Sequence, residues 1–221
     1  MAGERKSRAE LMLLYRAVMV AVAAAGVDVI IFYGTLLGLV RDDGFIEGDD
    51  DIDVLISHES LGALKTAVDS TQGLNGRTLG VAPRQIYQIF AGDVGPFDVY
   101  TYHLINGNTD VLVAWEAEVY DARDIFPTRP ASLYGHRVLM PRSPFRILSA
   151  VYGAGYMTPM HKGSYVASMA VRKCDDISRA LEPAAVSSAT LHSVTLVLLL
   201  LLCLAIISVI ARARWSNARA S

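Results

Sequence analysis

The feature that most constrains this chain is a crowded run of carboxylates at residues 42–53, DDGFIEGDDDID, which leads into the apolar segment VLI at 54–56. Carboxylates this close together repel one another and raise each other's pKa unless a cation neutralises them. Residues two apart on a strand point to the same face, so Asp51 and Asp53 would share one face at a strand's start. Two hard oxygen ligands there suit a Mg²⁺ ion that keeps waters and takes phosphates. The run therefore predicts a metal site.

A third carboxylate, Asp98, lies in the middle of a strand-like segment, FDVYTYH at 97–103. A charge on the inner face of a sheet is costly unless it is paired or bound to a metal ion. Asp98 is therefore the best third member of the site. The alternative, an Asp98 that points to solvent from an edge strand, stays open at this level.

These motifs admit three other interpretations. A solvated acidic loop fits Asp42, Asp43 and Glu47 better than the pair that enters the strand. An EF-hand is excluded because Val54 stands where its glycine belongs and Ser60 where its bidentate glutamate belongs. The segment YGTLLG at 33–38 reads as a glycine turn that lets backbone approach a phosphate, but its spacing matches neither a P-loop nor a dinucleotide fingerprint.

Periodicity and capping signals predict mixed secondary structure. We expect a buried helix over 8–25 ended by Gly26, a strand over 27–33, a second helix over 57–70 and a short helix over 145–152. Strand-like segments with intervening turns fill 84–115. These elements predict an α+β fold in which a mostly antiparallel sheet is flanked by a few helices.

The C-terminal part differs in composition. The run VTLVLLLLLCLAIISVIA at 194–211 is long enough to span a membrane as one helix. We expect a domain over 1–165, a linker over 166–189, a transmembrane helix over 190–211 and a basic tail over 212–221. Such a single-pass protein would be tail-anchored in the cytosol or have its domain in the Golgi or endoplasmic reticulum lumen. The net charge of −2 gives no indication of nucleic-acid binding.

The segment at 33–54, YGTLLGLVRDDGFIEGDDDIDV, resembles the signature of the LicD/fukutin family. The segment DIFP at 124–127 and the residues from Gly135 to Pro159 are similar to later family elements, so the likeness covers roughly 8–162. Glu47-Gly48 departs from the Pro-Trp-like pair of the family. The resemblance implies a polymerase-beta-like nucleotidyltransferase fold with a mixed or antiparallel sheet.

The resemblance also implies an activity: transfer of a phospho-substituent from a CDP-linked donor to a hydroxyl of a glycan, glycolipid or glycoprotein acceptor. In that interpretation Asp51, Asp53 and Asp98 are the catalytic and metal-binding residues, with Mg²⁺ or Mn²⁺ as the ion. The implied substrate-binding residues are Gly34, Thr35 and Arg41.

Two alternatives stay open. The same carboxylates could transfer the nucleotidyl group itself. The chain could also be an inactive, membrane-anchored glycan-binding scaffold. For Arg41, a surface salt bridge to the acidic loop competes with phosphate binding.

Overall fold

The computed structural model describes residues 7–159 and 171–182 of the 221-residue chain. The predicted transmembrane helix and basic tail, and half of the predicted linker, lie outside the described residues. Within the part that is described, no helix is both long and apolar enough to cross a membrane.

The first helix, α1 (Arg8–Ala25), has the predicted bounds, because both of its ends are encoded locally. Ser7 and Glu10 form a capping box, in which each side chain accepts a hydrogen bond from the other residue's backbone N–H. Such an N-cap stabilises a helix by about 1 kcal/mol. Gly26 ends the helix in the left-handed conformation, at φ 64°. The buried face of α1 includes Leu14, Tyr15 and Val18.

The segment predicted as a glycine turn is a helix, α2 (Tyr33–Asp42), so that prediction was wrong. The predicted strand before it shrinks to β1 (Ile30–Ile31). Tertiary packing outweighs the cost of two helical glycines. A Cβ at Gly38 would lie 2.3 Å from the carbonyl oxygen of Gly44, so only glycine lets the acidic loop approach the helix this closely.

The helices predicted over 57–70 and 145–152 are present as α3 (Leu61–Asp69) and α5 (Pro144–Tyr152), and the structure adds helices and strands that the sequence did not predict. The later helices are α3 (Leu61–Asp69), α4 (Ala122–Ile125), α5 (Pro144–Tyr152) and α6 (Ile177–Ala180). The later strands are β2 (Ile52–Ser57), β3 (Leu74–Val81), β4 (Arg84–Ala91), β5 (Val94–Ile105), β6 (Asp110–Val113), β7 (Glu118–Asp121), β8 (Arg129–Leu133), β9 (His136–Met140) and β10 (Arg172–Lys173).

The strands form one mixed sheet, as the α+β interpretation predicts. Its main path is β10-β7-β6-β5-β2-β1-β9-β8, and the β3–β4 hairpin pairs with β5 through β4. The pairs β2–β5 and β1–β9 are parallel, and the other described pairs are antiparallel. The parallel β2–β5 pair matters most, because it sets Asp53 directly opposite Asp98.

The two faces of β5 serve different purposes. Phe97 is fully buried and stacks on Tyr15 of α1, with ring centroids 6.5 Å apart. Because side chains alternate along a strand, Asp98 and Tyr100 point to the opposite face. The Tyr100 ring lies 5.0 Å from that of Tyr33, at the start of α2. The carboxylates therefore lie on the side of the sheet that faces the start of α2, away from α1.

Candidate active site

Three carboxylates meet on this face of the sheet. Ligand oxygens of Asp51, Asp53 and Asp98 all lie within 4.8 Å of one another. Asp53 and Asp98 are buried, with 6% and 7% of their surface exposed, whereas Asp51 is half-buried. The structure thus brings together the three residues that the sequence singled out, and it answers the open question of where Asp98 points.

The start of α2 holds Asp53 in place. The backbone N–H of Gly34 donates a hydrogen bond to Asp53 Oδ2 at 2.9 Å. The Thr35 hydroxyl accepts one from the backbone N–H of Asp53 at 2.8 Å, and Thr35 is itself buried. Both residues were expected to bind substrate; the contacts they make here position Asp53.

A side chain at Gly34 would crowd the site. A Cβ built on it would lie 3.0 Å from Asp53 Oδ2 and 3.1 Å from Asp49 Oδ2. These are tighter approaches than an ordinary van der Waals contact, so a methyl group would push on both carboxylates. The reason for a glycine here is this close approach of the site carboxylates, whereas a turn was expected from the sequence.

The cluster concentrates negative charge, and the effect of that charge is clearest at Asp53. Burial raises the pKa of Asp53 well above its ordinary value, and repulsion from Asp51, Asp98 and Asp49 raises it further. The Gly34 N–H opposes this by stabilising the carboxylate. Within the described residues Asp53 forms no ion pair. A cation bound at the cluster would remove the cost of burying these charges.

Arg41, the predicted phosphate-binding cation, lies elsewhere on α2. It is seven residues beyond Gly34, which corresponds to about 10 Å along the helix axis. Its Nη2 atom lies 2.8 Å from Asp42 Oδ2, its Nε atom donates to the same carboxylate, and only 7% of its side chain is exposed. The structure therefore shows the local salt bridge that was the alternative interpretation, and a role for Arg41 toward substrate stays a prediction.

A second polar cluster supports the start of α2, and sequence reasoning missed it. The Tyr33 hydroxyl donates to Glu118 Oε2 at 2.7 Å, Tyr120 donates to the same oxygen, and Lys173 Nζ lies 2.9 Å from Glu118 Oε1. Burial raises the pKa of Tyr33, so its hydroxyl remains a donor. These contacts fix Tyr33 at φ 38°, a conformation uncommon outside glycine. Tyr33 and Glu118 are 85 residues apart, so no local motif could reveal the pair.

The donor set fits a hard divalent cation. Each of the three residues offers carboxylate oxygen, which Mg²⁺ and Mn²⁺ prefer, and no thiolate or imidazole belongs to the cluster. Asp49 and Asp50 form a second group with Asp51, so further carboxylates adjoin the cluster. The residues present are thus consistent with the predicted metal, although they do not distinguish Mg²⁺ from Mn²⁺.

Comparison with protein families gives a match to the LicD/FKTN/FKRP nucleotidyltransferase domain over residues 26–143. The chain belongs to this family. The match covers more than half of the chain and includes α2, the acidic loop and all three carboxylates, which confirms the resemblance that the sequence indicated. Family membership supports a transferase. A comparison with curated proteins gives no significant match.

Two solved structures are similar to the chain. The crystal structure of ANT(2")-Ia in complex with adenylyl-2"-tobramycin has 16% identity and a TM-score of 0.46, and the match covers 68% of this chain and 79% of that one. The solution structure of antibiotic-resistance factor ANT(2'')-Ia has 16% identity and a TM-score of 0.41, with 58% and 63% covered. Because both TM-scores lie below 0.5, we base the function on the family match and on the carboxylate geometry.

Proposed function

We propose that this chain is a metal-dependent transferase that moves a phospho-substituent, of the phosphocholine or alditol phosphate type, from a CDP-linked donor to a glycan hydroxyl. One observation carries the proposal: Asp51, Asp53 and Asp98 converge on one sheet face, and the buried Asp53 lacks a cationic partner among the described residues. Displacement at phosphorus needs positioned charge more than covalent chemistry by the protein. A cluster of this kind meets that need.

The chain's own residues would divide the task. Asp51, Asp53 and Asp98 would hold Mg²⁺ or Mn²⁺, which when bound neutralises the diphosphate and stabilises the charge on the leaving group. Asp98 is also a candidate to accept the proton of the acceptor hydroxyl, because it is a buried carboxylate beside the other two. Gly34 and Thr35 would keep Asp53 aimed at the site through their hydrogen bonds.

The second candidate function is transfer of the nucleotidyl group. In the first reaction the acceptor oxygen bonds to the phosphorus that carries the choline or alditol, and CMP leaves. In the second it bonds to the phosphorus that carries cytidine, and the phospho-substituent leaves. The same carboxylates could serve either reaction, since the outcome depends on which phosphorus faces the acceptor.

The third candidate is an inactive scaffold. An intact set of three converging carboxylates weighs against it, because burying the Asp53 carboxylate beside other anions is costly and a binding module gains nothing from that cost. Metal binding by the purified protein would separate an active enzyme from this alternative.

The deciding experiment uses the purified full-length protein with Mg²⁺, a panel of oligosaccharide acceptors, and either CDP-choline or CDP-ribitol. Products are identified by mass spectrometry. Release of CMP, with a matching mass increase of the acceptor, supports the proposal. Release of phosphocholine or ribitol phosphate, with CMP attached to the acceptor, supports nucleotidyl transfer. The Asp53→Asn variant is the control, and both products should disappear with it.

Membrane tethering is part of the same proposal. The apolar run at 194–211 would hold the transferase near a membrane-bound donor or acceptor. We expect full-length protein in a membrane fraction to resist extraction by carbonate and to require detergent. Extraction by carbonate or high salt alone would contradict a spanning helix. Protease protection in sealed vesicles would then show on which side of the membrane the carboxylates lie.

A further inference from the structure

A polar row crosses four neighbouring strands and ends at the carboxylate cluster. Asp53 of β2 lies opposite Asp98 of β5, Asp98 opposite Gln88 of β4, and Gln88 opposite Arg77 of β3. Residues directly opposite one another in a sheet point to the same face. The row therefore runs from the exposed strand β3 to the buried site along one face.

The side chains of the row are joined by hydrogen bonds. Gln88 Nε2 donates to Asp98 Oδ1 at 2.8 Å, and Arg77 Nε donates to Gln88 Oε1 at 3.0 Å. The Arg77 guanidinium lies over the Phe90 ring, 4.6 Å from its centroid. Gln88 is buried, with 8% of its surface exposed, so its amide is shielded from competing water.

Only one orientation of the Gln88 amide satisfies both neighbours. A carboxylate accepts hydrogen bonds and a guanidinium donates them, so the NH₂ group must face Asp98 and the carbonyl oxygen must face Arg77. Rotating the amide by 180° would set oxygen against oxygen on one side and N–H against N–H on the other. Arg77, held by Phe90, therefore fixes the direction in which Gln88 donates.

We infer that Gln88 is a positioning residue for Asp98, and that Arg77 acts through Gln88 by locking its amide. This inference rests on the proposed metal site. A ligand carboxylate that is held by a second hydrogen-bonding partner binds its metal more tightly, and loss of such a partner typically weakens metal binding by about 10–100-fold. Neither Gln88 nor Arg77 is among the site residues that the sequence predicted.

A purely structural role gives a different expectation. Met has a similar length to Gln without the amide, so Gln88→Met should keep the packing of the sheet. If Gln88 only filled space, metal affinity would not change. If it positions Asp98, affinity falls while the fold persists.

The test is titration of the full-length, metal-free protein with Mn²⁺, with free Mn²⁺ followed by its electron paramagnetic resonance signal. Gln88→Met should weaken binding by about 10-fold or more. Arg77→Met should weaken it less, because the amide still donates but is no longer locked. In the double variant, Arg77→Met should add nothing to Gln88→Met. The matched control is Gln85→Met on β4, three residues from Gln88 and therefore on the other face of the strand.

The outcomes distinguish the positioning role of Gln88 from the existence of the metal site. Unchanged Mn²⁺ affinity in folded Gln88→Met would overturn the positioning role and leave the metal site standing. If Gln88→Met does not fold, unchanged affinity in Arg77→Met would overturn it instead. Equal Mn²⁺ binding by wild type and Asp53→Asn, or none by wild type, would overturn the proposed metal site itself and this inference with it.

Discussion

Two charged regions lie at opposite ends of the sheet and differ in how their charge is balanced. The first, the carboxylate end, comprises Asp51, Asp53 and Asp98. The second, the arginine end, is an open cavity lined by Asp121, Arg123, Asp124, Arg142, Ser143 and Arg146. Asp121 of β7 lies opposite Asp110 of β6, which in turn lies opposite Ile105 of β5. Ile105 is seven residues along β5 from Asp98, and seven residues of an extended strand span about 23 Å.

The aspartates at the two ends have pKa values shifted in opposite directions. At the arginine end, hydrogen bonds from Arg123 lower the pKa of Asp121 to about 2. At the carboxylate end, burial and neighbouring anions raise the pKa of Asp53. The arginine end supplies its own counter-charges and faces water. The carboxylate end is buried and, for Asp53, supplies none, which is the condition that favours a bound cation.

The largest expected effect comes from removing one charge at the carboxylate end. Asp51→Asn and Asp53→Asn should each abolish transfer with Mg²⁺, because each removes a direct metal ligand. The loss should exceed the roughly 10–100-fold typical of a changed outer partner. Turnover of the CDP-linked donor measures it, and circular dichroism checks the fold.

Asp121→Asn is the matched control from the arginine end. It removes the same charge from the same residue type, but we expect turnover to stay at the wild-type level. Near-normal turnover in Asp53→Asn, or an equal loss of turnover in Asp121→Asn, would show that catalysis does not depend specifically on the carboxylate end.

A second effect tests how closely the Asp53 and Asp49 side chains pack against Gly34. Gly34→Ala should weaken Mn²⁺ binding about 10-fold, because its methyl group would displace Asp53 and Asp49, whose side-chain oxygens lie at 3.0 and 3.1 Å from the added Cβ. Gly62→Ala on α3 is the control, since nothing lies within 4 Å of its Cβ. That variant should gain roughly 0.5–1 kcal/mol of stability, as alanine usually does in a helix. Full Mn²⁺ affinity in Gly34→Ala would mean that Asp53 and Asp49 can move away from the methyl group without weakening the metal site.

A smaller effect concerns stability without metal. Since the folded-state pKa of Asp53 is raised, the folded protein binds more protons than the unfolded chain at pH values between the two pKa values, and stability falls as the pH rises through that window. Asp53→Asn removes this penalty. In EDTA at pH 8 it should raise Tm by about 2–4 °C, which is roughly 1 kcal/mol for a chain of this size.

The pH dependence of this gain in Tm shows whether it comes from the charge of Asp53. The gain in Tm from Asp53→Asn should shrink as the pH is lowered through that window and should vanish below the ordinary aspartate value of 3.8, where the wild-type carboxyl is protonated in both states. A gain that stays constant with pH would come from packing and would contradict uncompensated charge at Asp53.

The parts of the fold that the sequence predicts are those encoded locally. Ser7, Glu10 and Gly26 fix both ends of α1, and the apolar run after Asp53 fixes β2. The Asp51–Asp53 spacing also predicts a shared face. Asp98 was predicted as the third member of the site from its place in an apolar strand, and the family resemblance agreed. Its meeting with Asp53, 45 residues earlier in the chain, depends on a parallel register between β2 and β5 that the sequence did not predict.

The rest depends on contacts that local patterns do not contain. Gly34 and Gly38 favour a turn by propensity, yet both lie in α2 because the site and the acidic loop pack against them. Gln88 lies on a strand whose apolar alternation is imperfect, and nothing in that pattern says that its face carries Asp98. Such misses are expected where tertiary packing overrides local preference.

The smallest expected effect lies at the arginine end. Arg123→Gln breaks the ion pair with Asp121, whose atoms Nη2 and Oδ2 lie 2.6 Å apart, but 85% of the arginine side chain is exposed. Water and salt screen such a pair, so the thermal unfolding curve and turnover should match wild type within error. At high salt even a small difference should vanish. A clear loss of turnover in Arg123→Gln, with the fold intact, would show that the arginine end takes part in substrate binding and that the division between the two ends is wrong.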